Sequence, residues 1–170
     1  GLALIRDDRV SALGLHIEGL GDIAAFEALS KAAKAIGKGI VAIKVGQSKQ
    51  AQDAAISHTA SLAGSDAGAR AVLKRLGIAR LKSVPEFLET LKLLHFCGPL
   101  KGNKVASLSC SGGEASLIVD TALSYNVGFP ELNEIQKEGL RDVLGPMVAL
   151  ANPLDYHTYI WGDGRAIGAM

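Results

Sequence analysis

In the stretch AAISHTASLAG, residues 54 to 64, one histidine, His58, stands among alanines, serines and a threonine, with no acid or cysteine nearer than Asp53. A metal centre would want further His, Cys or carboxylate ligands at helical or turn spacing, and this window holds none, so no metal site is expected. What remains is an imidazole flanked by the hydroxyls of Ser57 and Thr59 and by free backbone N–H groups. That setting suits an anion or a phosphoryl group.

A second anion seat is written in SCSGGEAS, where Ser111, Gly112 and Gly113 follow one apolar run and open the next periodic stretch. Glycines at a strand-to-helix turn let backbone N–H groups converge where the helix dipole favours negative charge. A dinucleotide fingerprint would need a third glycine where Ser116 stands, and a phosphate-loop lysine is absent, so both of those readings are weak. A plain tight turn of an α/β protein is the competing reading.

Glu18, in HIEGLGD, falls at the carboxyl end of the first apolar run, and His58 falls in the loop after the second. Open α/β sheets bind ligands at that edge. A carboxylate there can hold one imidazole nitrogen, fix the tautomer and leave the other nitrogen nucleophilic. Alternatively Glu18 caps the following helix and His58 is a surface loop residue; the residues alone leave both readings open. His16 alternates onto the face of Glu18 and is an outside candidate. His95 closes a Leu-rich helix as a dipole partner, and His157, with Asp155 and Asp163 near it in sequence, is a polar loop residue or a weak site contact. Cys110, at a strand end among apolar residues, reads as a small buried packing residue rather than a nucleophile.

These residues need a scaffold that delivers strand ends to one edge. SALGLHI and GIVAIKV read as strands, and IAAFEALSKAAKAI between them places Ile23, Phe26, Leu29, Ala33 and Ile36 on a helical stripe stopped by Gly37 and Gly39. SDAGARAVLKRLG predicts a helix capped by Ser65 or Asp66 and ended by Gly77; IARL predicts a short strand. SVPEFLETLKLLHF predicts a helix with Ser83 as cap and Glu86 as its capping-box partner. The periodicity breaks at CGPLKGNK, residues 97 to 104, and restarts with KVASLSC as a strand, a turn into a helix over SGGEASLIVDTALSYNV, and a helix over ELNEIQKEGLRDVL. The expected architecture is therefore α/β: two doubly wound parallel-sheet domains, three layers each, over residues 1–97 and 98–170.

Bulk composition limits the alternatives. The 170 residues are 48% hydrophobic and 21% charged, which is globular. With 18 Lys and Arg against 17 Asp and Glu, the net charge is +1, and the basic residues are scattered; with 5% aromatic residues as well, nucleic acid is not an expected partner. Two cysteines in a chain of this size suit a reducing compartment, so a cytoplasmic location is expected. No run of eighteen apolar residues occurs, and GLALIRDDRV is unlike a signal peptide, so no membrane association is expected. The missing initiator Met, and an end, DGRAIGAM, at the start of a helix, suggest a piece of a longer chain truncated at the C-terminus.

Taken in order, HIEG, IKVGQS, SHTASLAGSDA, SCSGGEAS and NPLD resemble the NDP-forming (ADP-forming) acyl-CoA synthetases, the acetate-CoA ligase family, and more distantly the succinyl-CoA synthetase alpha subunits. SHT followed by LAGSDA is the specific part. The resemblance implies flavodoxin-like domains, both incomplete here, and a phosphoryl carrier at His58, the histidine of the family's SHTG motif, with Ala60 where the family usually has glycine. It implies that Glu18 orients His58 and that Ser111, Gly112 and Gly113 form the helix terminus facing the phosphohistidine.

The implied reaction converts a carboxylic acid, CoA and ATP into acyl-CoA, ADP and phosphate through acyl phosphate and phosphohistidine. Phosphoryl transfer asks the protein for an in-line nucleophile and charge-stabilising donors, which an oriented imidazole and helix N-termini supply. CoA and Mg-ATP or Mg-ADP would be held mainly by domains outside this chain: a Rossmann-like CoA-binding domain and an ATP-grasp domain, in the same polypeptide or a partner subunit, within an oligomer. The competing class is a non-catalytic ligase-like module for regulation or partner binding, such as part of a protein acetyltransferase. Retention of both Glu18 and His58 argues for the enzyme.

Overall fold

The computed structural model describes residues 1–48, 50–51 and 65–170. The chain forms two compact units, Gly1–Leu100 and Lys101–Met170, dividing inside the Gly-, Pro- and Asn-containing stretch after Cys97.

The first unit runs α1 (Leu2–Arg6), β1 (Ala12–Ile17), α2 (Ile23–Ala35), β2 (Gly39–Lys44), α3 (Asp66–Leu76), β3 (Ala79–Leu81) and α4 (Val84–Cys97). Its sheet is parallel with order β1-β2-β3, Ile17 lying opposite Lys44 and Ala42 opposite Arg80. Because strand side chains alternate, Leu13, Leu15, Ile17, Ile40, Ala42, Lys44 and Arg80 share one face. On that face Leu13, Ile17, Ile40 and Ala42 form a core with Leu29 and Ala33 of α2 and Leu73 and Leu76 of α3. Both crossover helices lie there because sequential parallel strands joined by right-handed connections keep their helices on one side. The opposite face belongs to α4, which approaches so closely that a Cβ on Gly14 would stand 2.5 Å from Phe87 Cζ, and one on Gly39 2.8 Å from Leu94 Cδ1. Helices on both faces of a parallel sheet are the three-layer, doubly wound arrangement expected from the sequence.

Helix ends follow local chemistry, with two departures. Ser65 caps α3 by accepting from Gly68 N at 3.1 Å, and Gly77 ends it at φ +70°, a conformation that suits glycine. Ser83 caps α4, accepting from Glu86 N at 3.3 Å, but the predicted capping box is not closed there: the Glu86 carboxylate accepts from Lys82 N at 2.9 Å instead. The stripe on α2 is also narrower than its spacing predicts. Ile23 and Ile36 are exposed while Ser30 is buried, its hydroxyl donating to Leu76 O at 2.6 Å and so tying α2 to the end of α3. The five-residue α1 carries no periodicity to read; Lys38 Nζ anchors its C-terminal side by donating to Ile5 O at 3.0 Å and Asp7 O at 2.8 Å.

The second unit runs β4 (Leu108–Ser109), α5 (Gly112–Ala122), α6 (Glu134–Leu144), β5 (Leu154–Asp155) and α7 (Gly164–Ala169). β4 and β5 pair in parallel, and Leu144, Val148 and Leu154 form the buried core. The strand predicted over KVASLSC is far shorter than its apolar run. Asn152 is the reason: its Oδ1 accepts from Ser107 N at 3.1 Å and its Nδ2 donates to Val105 O at 2.9 Å, so a side-chain amide takes backbone groups that a neighbouring strand would have used. The same Nδ2 donates to Pro130 O at 3.0 Å, joining three segments. At α6 a true capping box forms between Asn133 and Gln136, with both bonds at 2.9 Å. Among the described residues no helix is long and apolar enough to cross a membrane.

Candidate functional site

Ser57, His58 and Thr59 lie outside the described residues. The residues on either side of that stretch and along the adjoining strand ends are described, and their chemistry is unusual for a sheet edge.

Glu18 follows β1 directly and is half-buried. It does not cap α2: Asp22 does, its Oδ1 accepting from Ala24 N at 2.9 Å. Of the two roles open to Glu18 from sequence, helix capping is thus taken by another residue. His16 is itself exposed, and the register sets it on the face of the sheet that carries Gly14 and α4 rather than on the apolar face of Leu15 and Ile17. His95 is hydrogen-bonded through Nδ1 to Ser11 Oγ at 2.8 Å, a link between the end of α4 and the approach to β1 beyond the dipole role expected of it.

Lys44 ends β2 on the apolar face and is only 2% exposed. The run Ile40, Ala42, Lys44 therefore ends in a buried ammonium. Its Nζ donates to Val45 O. Burial pushes its pKa below the usual lysine range, Asp66 and Glu18 partly counter this, and Arg80 reinforces it. Arg80 shares that face one alternation back along the sheet edge, with 15% of its side chain exposed. Its Nη2 donates to Asp66 Oδ1, while its Nη1 is buried with no hydrogen-bond partner among the described residues. Asp66, the first residue of α3, also receives Arg70 Nη2 at 3.1 Å on its other oxygen. The Arg80 guanidinium, then burial acting in the opposite sense, then Arg70 set its acidity, and the net result holds the carboxyl below the usual aspartate range.

Lys44 and Arg80 are not legible as site residues from sequence. A lysine inside GIVAIKV is the available signal, because a charge in a continuous apolar run must either end the strand or be buried for a reason.

In the second unit, Ser111 caps α5 by accepting from Glu114 N at 3.2 Å, and Gly112 and Gly113 form the helix start. The position a Cβ would take on Gly112 lies 3.4 Å from Asp155 Oδ2, so a carboxylate at the end of β5 stands beside that start. Asp155 Oδ1 also accepts from His157 N at 2.9 Å. His157 adopts φ +58° and stacks on Tyr159 with ring centroids 5.3 Å apart. Asp163 is not part of this group; it caps α7 through Arg165 N at 3.0 Å. Cys110 is half-buried rather than fully buried, with Sγ 3.8 Å from Glu114 Oε2. Glu18 in one unit and Ser111 to Gly113 in the other each occupy the carboxyl edge of their own parallel sheet.

Parallel sheets wound by helices, with charged side chains and a helix start gathered at strand carboxyl ends, define the open α/β class that binds ligands at that edge. Residues 2–94 match the succinyl-CoA ligase like flavodoxin domain, and the chain belongs to that family.

Among curated proteins the chain is 31% identical over 149 residues to the ADP-forming acetate–CoA ligase of Methanocaldococcus jannaschii, covering 88% of this chain and 21% of that protein. It is 36% identical over 156 residues to the alpha subunit of ADP-forming acetate–CoA ligase II of Pyrococcus furiosus, covering 91% of this chain and 33% of that subunit. Among solved structures it resembles the dinucleotide forming acetyl-coenzyme A synthetase 1 of Ca. Korarchaeum cryptofilum in complex with phosphate and ADP. The TM-score is 0.77 at 25% identity, covering 90% of this chain and 33% of that one. The chain thus spans about a fifth to a third of the length of these relatives.

Proposed function

We propose that this chain is the phosphoryl-carrying part of an ADP-forming acyl-CoA synthetase, making acyl-CoA from a carboxylic acid and CoA with conversion of ATP to ADP and phosphate. The observation that carries the reading is that the likeness to proteins named ADP-forming acetate–CoA ligases runs through both units, covering 88% and 91% of the chain in two of them. The location of Glu18 at the carboxyl end of β1, with the cap of α2 supplied by Asp22, supports an orienting role for this carboxylate.

In this reading one imidazole nitrogen of His58 attacks the γ-phosphorus of ATP; the N–P bond forms, the bond from that phosphorus to the bridging oxygen breaks, and ADP leaves. A carboxylate oxygen of the acid then attacks the phosphorus, an O–P bond forming as the N–P bond breaks, and the CoA thiolate attacks the acyl carbon of the resulting acyl phosphate, releasing phosphate and acyl-CoA. Glu18 holds the other imidazole nitrogen and balances the charge of the phosphohistidine. Ser57, Thr59 and the Ser111–Gly113 helix start donate hydrogen bonds to phosphoryl oxygens.

CoA and the magnesium nucleotide are bound mainly by CoA-binding and ATP-grasp domains beyond this chain, in the same polypeptide or a partner subunit of an oligomer. The naming of one relative as an alpha subunit supports that division. Among the described residues no three His, Cys, Asp or Glu side chains gather as metal ligands. The two free thiols, Cys97 and Cys110, support a cytoplasmic location.

The test uses the complete enzyme. Incubation with Mg-ATP labelled at the γ-phosphate, or with acyl-CoA and labelled phosphate, is expected to place an acid-labile, base-stable phosphoryl group on His58, and His58→Ala is expected to abolish it. A label that persists on another histidine overturns the assignment.

A further inference from the structure

We infer that Lys44 and Arg80 form an oxyanion-binding pair at the carboxyl edge of the first unit's sheet, and that its ligand is the tetrahedral phosphate group. The register places both cations on one face, with Arg80 opposite Ala42 and Lys44 two residues further along β2. Neither is a solvated surface charge: Lys44 is 2% exposed, and 15% of the Arg80 side chain is. Two cations brought together in a part-buried setting repel one another, and their desolvation is unfavourable unless anions answer them.

Among the described residues the acceptors fall short of the donors. An ammonium carries three N–H bonds and a guanidinium five. Lys44 donates to Val45 O, and Arg80 donates through Nη2 to Asp66, while Arg80 Nη1 is buried with no partner among the described residues. A buried guanidinium N–H without an acceptor has lost its hydration with nothing in return, and such a group calls for an ion or ligand. Asp66 is itself divided between Arg80 and Arg70, which limits what it can offer Lys44.

A phosphate supplies up to two negative charges and several acceptor oxygens, enough to meet a lysine and the free side of an arginine at once; guanidinium and ammonium are both suited to it. A monoanionic carboxylate brings less charge, and this edge already has two carboxylates in Asp66 and Glu18. The choice of phosphate rests on the proposed reaction, in which a phosphoryl group is handled by the segment between β2 and α3. The cation pair itself is defined by β2 and β3 and does not depend on His58.

The experiment titrates the 170-residue protein with inorganic phosphate at constant ionic strength, and follows the side-chain ¹⁵N–H resonances of Arg80, assigned by their loss in Arg80→Lys. A saturable shift is expected, with affinity about tenfold weaker in Lys44→Met, followed at Arg80, and in Arg80→Gln, followed at the Lys44 backbone amide, the effect of one lost charge-assisted bond. Amide spectra establish that each variant is folded, and the wild-type Arg80 shift needs no variant at all. An unmoved Arg80 resonance, an equal shift with acetate, or an equal shift with chloride overturns the inference. His58→Ala is expected to keep phosphate binding. If phosphate binds while the complete enzyme takes no label on His58, the proposed reaction fails and the cation pair stands. A labelled His58 with no phosphate response at Arg80 overturns the cation pair and leaves the proposed reaction standing.

Discussion

Arg80 in β3 reaches across to Asp66, the first residue of α3, so the strand that follows the helix holds the helix's own start. The helix dipole and two arginines favour the charged form of this carboxylate. Its pKa is lowered in the folded protein. Its stabilising contribution is therefore complete above the unfolded aspartate value of about 3.9 and is lost as pH falls through the lower folded value. Melting temperature measured from pH 6 down to pH 2 is expected to drop below about pH 4, in part through this group. Asp66→Asn is expected to lose roughly 1–2 kcal/mol at neutral pH and to flatten that acid limb. An unchanged limb in the variant refutes the role.

The close approach of α4 to the sheet gives a second expectation. A methyl group on Gly14 would overlap Phe87 and Leu91, at 2.5 and 2.9 Å, and one on Gly39 would overlap Leu94 at 2.8 Å. Gly14→Ala is expected to cost about 1–3 kcal/mol, as overpacking does. Phe87→Leu added to it is expected to restore part of the loss, since the nearest atom is the ring tip. Urea denaturation of the two single variants and the double variant measures this coupling.

Asn152 offers a third. Its amide satisfies backbone groups of Val105, Ser107 and Pro130, so Asn152→Ala leaves a backbone N–H and two carbonyls without their partner. A loss of about 2 kcal/mol in the second unit is expected. Hydrogen exchange should quicken at the Ser107 and Leu154 amides while those of β2 keep their protection.

The same asparagine explains where sequence reasoning stops. Apolar runs reveal β1, β2 and β3 because the ladder there is backbone to backbone, whereas KVASLSC is equally apolar yet yields a two-residue strand, a side chain having taken the strand's partners. Residue types point to a capping box at Ser83 and Glu86, but Glu86 bonds Lys82 N, and the box forms at Asn133 and Gln136. Both patterns satisfy the spacing rule, and only the side-chain torsions choose between them. α1 is too short for any period. At the site, Glu18 is legible because a strand end is a place in the sequence. The Lys44 and Arg80 pair is not, because it depends on the register that sets Ala42 opposite Arg80.

Glu18 and Asp22 provide the last prediction, because they are four residues apart and the cap of α2 falls to Asp22. Asp22 accepts from Ala24 N and caps α2, while Glu18 makes no capping bond to that helix. Asp22→Ala is expected to cost about 1 kcal/mol of folding stability, and to leave the rate of His58 phosphorylation in the complete enzyme nearly unchanged at temperatures well below melting. Glu18→Gln keeps the side chain's size and one acceptor but removes its charge. If Glu18 orients the imidazole and balances the phosphohistidine, phosphorylation and turnover are expected to fall by roughly 10²- to 10⁴-fold, with a melting temperature close to that of the wild type. The two variants thus separate stability from chemistry in opposite directions. A Glu18→Gln protein that melts early but phosphorylates at a normal rate refutes the orienting role, and equal losses of rate in both variants show that the segment between β1 and α2 acts only through its fold.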